Sequence, residues 1–125
     1  MLSVAIPGAV PEVAPFLAEA DIYVLPSRRE QSGSLALIEA LQAGLPVVAS
    51  ACDGIPEDIE DGAQGFLAPP GDAAALADAL ARLITSPQLR ATFGAAARAR
   101  YEERFGPEAV SAGLVAAYRA LGAPL

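Results

Sequence analysis

Two glutamates, Glu30 and Glu39, bracket the entry to a helix in the stretch PSRREQSGSLALIEALQAGLPVVAS, residues 26–50. An ionised carboxylate only accepts hydrogen bonds, so a glutamate facing a cleft can hold the hydroxyl pair of a ribose. Between the two, Ser32, Gly33 and Ser34 lead into the helix. The first backbone N–H groups of a helix have no partner inside it and attract an anion. Gly33 lets a ligand come close to the backbone. The same residue types also serve as a plain helix cap, and the residues by themselves leave both readings open. Arg28 and Arg29 either add charge to such a site or form a solvated loop pair.

Other candidates carry less. The run PEDIEDG, residues 56–62, gathers Glu57, Asp58, Glu60 and Asp61. Hard cations take oxygen ligands, but acidic residues are also enriched at the start of a short helix, and the second reading is preferred. Cys52 follows a strand end and reads as a half-buried structural thiol. Tyr101 and Phe105 read as core. Neither a D-x-D run nor a Gly-rich phosphate loop ending in G-K-[ST] occurs.

The elements that must position the glutamates follow from pattern. DIYVLP (21–26) and PVVAS (46–50) are compact apolar runs, the look of buried parallel strands. GFLAPP (65–70) gives another, and SVAI (3–6) a short one stopped by Pro7-Gly8. Helices are predicted at 11–20 with Pro11 near its start, and at 34–43 with Leu35, Leu37, Ile38 and Leu41 against a sheet. One more helical turn is expected from Pro56. Gly44 stands at a C-cap. Asp72 caps a helix over 73–84 whose Leu76, Leu80 and Leu83 share a face. Ser86-Pro87 opens another over 87–104, and Gly106-Pro107 separates the last, 107–121. Strand and helix alternate, which predicts an α/β fold: a Rossmann-like parallel sheet of about four strands flanked by helices.

Composition narrows the function classes. The chain has 125 residues, 54% of them hydrophobic and 18% charged, which suits one domain with a core. The net charge of -7 argues against a general nucleic-acid or anionic-membrane binder. All eight basic residues are arginine, and the absence of histidine removes the commonest general base and metal ligand. A single cysteine suits a reduced, cytoplasmic setting. No apolar stretch reaches transmembrane length, so no integral membrane segment is expected. Metal and cofactor are both expected to be absent.

The wording ADIYVLPS…E…SLALIEALQAGLPVVAS…GIPEDIEDGAQGFLAPPGDAAALADAL closely resembles the donor-binding half of GT-B glycosyltransferases of family GT4, the glycosyl transferases group 1. The likeness covers nearly the whole chain and continues into the tail ARARYEERFGPEAV. It implies a nucleotide-sugar donor as the ligand and retaining sugar transfer without a metal at the donor site. Stabilisation of the departing diphosphate would supply the main catalytic help. Glu39 would hold the nucleotide's ribose hydroxyls, and the backbone of Ser32, Gly33, Ser34 and Leu35 would face the diphosphate. The family's first glutamate, which contacts the donor sugar, lies at an E-x7-E spacing. Glu30 to Glu39 is one residue longer, and Gln31 stands at the family spacing. Either the loop carries an inserted residue and Glu30 keeps the role, or Gln31 replaces it.

Against the family pattern, SVAIPGAV matches the third strand of the donor domain. The chain would then begin midway through that domain, with no acceptor domain, and would be inactive alone. The competing expectation is a non-catalytic module that oligomerises. A flavodoxin-like regulator, needing Asp21 or Asp53 as phosphoacceptor, ranks last, because Asp21 is at the wrong end of its strand. An open strand edge is a template for pairing, and the expected result is a homodimer built around 21–26.

Overall fold

The computed structural model describes residues 3–30 and 34–124. In chain order the elements are α1 (Ala14–Glu19), β1 (Tyr23–Leu25), α2 (Leu35–Gln42), β2 (Val47–Ser50), α3 (Ile55–Asp58), β3 (Gly65–Ala68), α4 (Ala73–Thr85), α5 (Pro87–Arg104) and α6 (Pro107–Ala120). The strands form one parallel sheet in the order β1-β2-β3. Tyr23 stands beside Val47, and Val48 beside Phe66. The middle strand VVAS is buried along its whole length, as a continuous apolar run between two covered faces must be.

Alternation along β2 divides the core. Val47 and Ala49 point to one face and join Leu37, Leu41, Ile55, Ile59 and Ala97 from α2, the α3 region and α5. Val48 points to the other and joins Phe66, Ala79, Leu83 and Phe93 beneath α4. Tyr101 and Phe105 pack against the first cluster, as expected of core residues. The close approach of α2 to α5 depends on glycine: a Cβ on Gly94 would lie 2.5 Å from the carbonyl oxygen of Gly44, which itself ends α2 at φ +71°.

The arginines of α5 tie the helices together. A helix leaves its last carbonyls without partners. Arg90 donates to the carbonyls of Leu83 and Ile84 at the end of α4, at 2.7 and 2.9 Å. Arg98 donates to Gln42 O at the end of α2, at 2.6 Å. Arg100 donates to Asp58 O at 3.0 Å, and Arg104 to Glu57 O, both at the end of α3. One helix thus closes three others and places cations at the negative ends of their dipoles.

Three expectations need correction. Residues 3–6 form no strand, and Val4 and Ile6 are 87% and 89% exposed. The sheet of the described residues therefore has three strands, and its β1 edge is open. A four-residue apolar segment stopped by Pro-Gly gains nothing from an extended conformation without a neighbouring ladder. Second, Pro11 lies before α1, and Pro15 is the proline in its first turn. Third, Leu35 is 69% exposed rather than packed on the sheet, because it opens the helix at the rim. No helix among the described residues is long and apolar enough to cross a membrane.

Candidate functional site

The carboxyl ends of parallel strands, where loops enter helices, are where open α/β sheets hold ligands. Here the loops after β1 and β2 are tied to one another. Ser27 Oγ donates to Glu30 Oε2 at 3.1 Å, and the Glu30 N–H donates to Asp53 Oδ2 at 2.6 Å. The Cys52 thiol donates to the carbonyl of Ser27 at 3.4 Å. Asp53 holds φ at +47°, a left-handed conformation that Asp tolerates better than most residues. It thereby turns the β2 loop back toward Glu30. The Asp-Gly pair at 53–54 is a turn signal in the sequence, but a turn signal does not reveal a clamp on Glu30.

Glu39 is half-buried on α2. With Gln42 and Ala43 it lines a cleft of about 310 Å³ against Val13, Ala14, Leu17 and Ala18 of the α1 region. Tyr23 lies within the electrostatic reach of both glutamates. Burial raises its phenol pKa above 10.0, and the charges of Glu30 and Glu39 raise it further. Both carboxylates therefore act on one strand residue that sequence reasoning missed. The Cys52 thiol is likewise raised, first by burial and then by Asp53 and Glu30, while its own backbone N–H lowers it. A thiol of that kind is a poor nucleophile at neutral pH, and Cys52 is buried more fully than expected.

The start of α2 is unlike the starts of α4 and α5. Asp72 Oδ1 accepts from Ala75 N at 2.9 Å, and Ser86 Oγ accepts from Leu89 N at 3.1 Å. Ser34 stands at the N-cap of α2, and its side chain makes no cap hydrogen bond. The plain-cap reading of Ser34 does not hold. Gln31, Ser32 and Gly33 lie outside the described residues.

The acidic run 57–61 is occupied by the fold. Asp58 is buried, Asp61 Oδ1 accepts from Leu67 N at 2.9 Å, and Glu60 lies 3.5 Å from Arg100. Among the described residues no cluster of three metal-ligating side chains is present.

Comparison with known proteins gives the family and the fold. Residues 2–86 match the family model described as "Glycosyl transferases group 1". The chain belongs to that family. It is 46% identical over 99 residues to the amylovoran biosynthesis glycosyltransferase AmsK of Erwinia amylovora, covering 75% of this chain and 24% of the relative. It is 43% identical over 89 residues to a phosphatidyl-myo-inositol mannosyltransferase of Mycobacterium leprae, covering 69% of this chain and 24% of the relative. The chain thus spans about a quarter of the length of these curated relatives.

Solved structures give the same fold, that of GT-B glycosyltransferases. Sucrose-phosphate synthase from Thermosynechococcus elongatus superposes with a TM-score of 0.78 at 36% identity, over 87% of this chain and 27% of that one. HepE of Anabaena in complex with UDP superposes with a TM-score of 0.77 at 29% identity, over 84% of this chain and 29% of that one. The expected family and fold class hold.

Proposed function

We propose that this chain forms the donor side of a retaining glycosyltransferase that uses a nucleotide-sugar. The observation that carries the reading is the start of α2, where a serine at the N-cap leaves the first amides without its side chain and Glu39 follows one turn later. On this reading the amides of Ser34 and Leu35 bind the donor diphosphate, and Ser32 and Gly33, which lie outside the described residues, are proposed as further contacts to it. Glu39 accepts hydrogen bonds from the ribose hydroxyls. Glu30, held by Ser27 and Asp53, reaches the donor sugar, with Gln31 as the alternative for that contact. Support comes from HepE, a family-like structure whose complexes hold UDP and UDP-glucose. No metal takes part in this scheme, and a nucleotide-sugar substrate fits a cytoplasmic setting.

The chemistry needs the departing diphosphate to be stabilised in a water-poor site. The helix start supplies fixed dipoles for that purpose. The 125 residues alone bind a nucleotide diphosphate weakly, at about millimolar Kd, and transfer no sugar. Turnover assayed against UDP-, GDP- and ADP-sugars tests this; transfer by the chain alone, lost in Glu39→Ala, overturns it.

A second reading, a non-catalytic module that pairs with its own copy, is favoured by one feature. The β1 edge has no neighbour among the described residues, and Val24 on it is exposed. An open edge invites a second strand, and a two-fold axis makes that pairing antiparallel. Light scattering at micromolar concentration decides between a dimer and a 12.7 kDa monomer.

A further inference from the structure

A second hollow of about 210 Å³ opens at the strand ends, lined by Pro26, Arg28, Ser50, Pro69, Asp72 and Leu76. It lies on the α4 side of the sheet, because Ser50 alternates with Ala49 and shares the face of Val48. Glu39 and the α1–α2 cleft belong to the other side. The hollow is below the range of about 300–1,000 Å³ typical of drug-sized ligands, and its size suits a single ring.

Three polar groups line it, each of a different kind. Arg28 only donates, ionised Asp72 only accepts, and the Ser50 hydroxyl does both. Ser50 is only 3% exposed and lines the hollow. No buried side-chain polar atom among the described residues lacks a partner, so its hydroxyl, which makes no hydrogen bond among them, opens onto the hollow, where water or a ligand can bind it. Arg28 is also without a partner there, in a chain whose α5 arginines close helix ends or pair with glutamate. Asp72 uses Oδ1 to cap α4, leaving Oδ2 for a ligand. Arg28 and Asp72 line one hollow but form no ion pair with each other.

We propose that this hollow is a subsite for one neutral, hydroxyl-rich ring of pyranose size. Its hydroxyls accept from Arg28, donate to Asp72 and exchange both with Ser50. Its C–H face lies on Pro26, Pro69 and Leu76. An inorganic anion suits the hollow less well, because the Asp72 carboxylate already stands at the start of α4 and repels it. The inference is independent of the donor reading, which uses residues on the opposite face.

NMR titration of the 125-residue chain with methyl α-glucopyranoside, inorganic phosphate and UDP-glucose tests it. The glucoside is expected to move the amides of Ser50, Ala73 and Leu76. Ser50→Ala, Arg28→Met and Asp72→Asn are each expected to weaken that binding at least fivefold. Asn at the N-cap keeps α4 capped, so the last variant isolates the charge. Glu39→Ala leaves the glucoside shifts unchanged, so failure of the donor reading shows separately. If UDP-glucose moves the same amides and Glu39→Ala removes that effect, the hollow belongs to the donor site and the separate subsite is overturned. If only the free glucoside moves them, it is a separate sugar. Larger shifts at these amides with phosphate than with the glucoside overturn the proposal. So does silence with the glucoside at tens of millimolar.

Discussion

The helices α4 and α2 both start at the carboxyl end of the sheet, yet they are finished differently. At α4 the N-cap Asp72 binds back to Ala75, and Leu83 at the other end is fully buried. At α2 the N-cap serine makes no such bond, and the first helical residue Leu35 is exposed. One start is closed by its own chain. The other leaves polar backbone groups and an apolar side chain facing outward, as a start kept for a ligand would. The difference shows that helix-start residues of one chemical class can close a helix at one strand end and leave it without a side-chain cap at another.

The largest effect that sharpens this contrast is in the core. Leu83→Ala is expected to cost about 2–5 kcal/mol, the range for removing a buried leucine side chain. Leu35→Ala is expected to stay within about 0.5 kcal/mol, as exposed substitutions do. Urea unfolding of both variants checks the pair, and equal losses would erase the distinction.

The next effect is in the caps. Asp72→Ala is expected to lose about 1 kcal/mol of stability and Ser86→Ala a similar amount. Ser34→Ala has no cap bond to lose and is expected to leave the unfolding midpoint almost unchanged. A loss at Ser34 as large as that at Asp72 would break the comparison.

Much of the α4 side was legible in the sequence because local signals and tertiary structure agree there. Asp72, Ser86-Pro87 and the spacing of Leu76, Leu80 and Leu83 each mark a helix start or face by short-range chemistry. The strand 3–6 was misread because four apolar residues look the same with or without a neighbouring ladder. Leu35 was misread because helical spacing fixes a face but not how far the sheet extends beneath it. At the candidate site, Glu30 and Glu39 stand out by residue type, and the family resemblance supplies the roles proposed for them. Tyr23 and the Asp53 clamp do not stand out, since interactions between residues 7 to 23 positions apart leave no mark in a single sequence.

The smallest predicted effect is electrostatic. Burial and then the charges of Glu30 and Glu39 hold the Tyr23 phenol above 10.0. The folded chain therefore keeps that proton longer than the unfolded one. The stability so gained is fully present below the unfolded pKa and is lost as pH rises through the folded value. Glu39→Gln is expected to lower the Tyr23 pKa toward 10.0, read by NMR of labelled tyrosine. A pKa that does not move would mean Glu39 faces elsewhere.

The most direct test of the donor site is an amide NMR titration of the chain with UDP, run on the native sequence and on Glu39→Ala. The account predicts shifts centred on the amides of Ser34, Leu35 and Ala36, saturating at about millimolar Kd, and weakened at least tenfold by Glu39→Ala while the fold is retained. Shifts confined to residues 57–61, or binding that ignores the loss of Glu39, would contradict it.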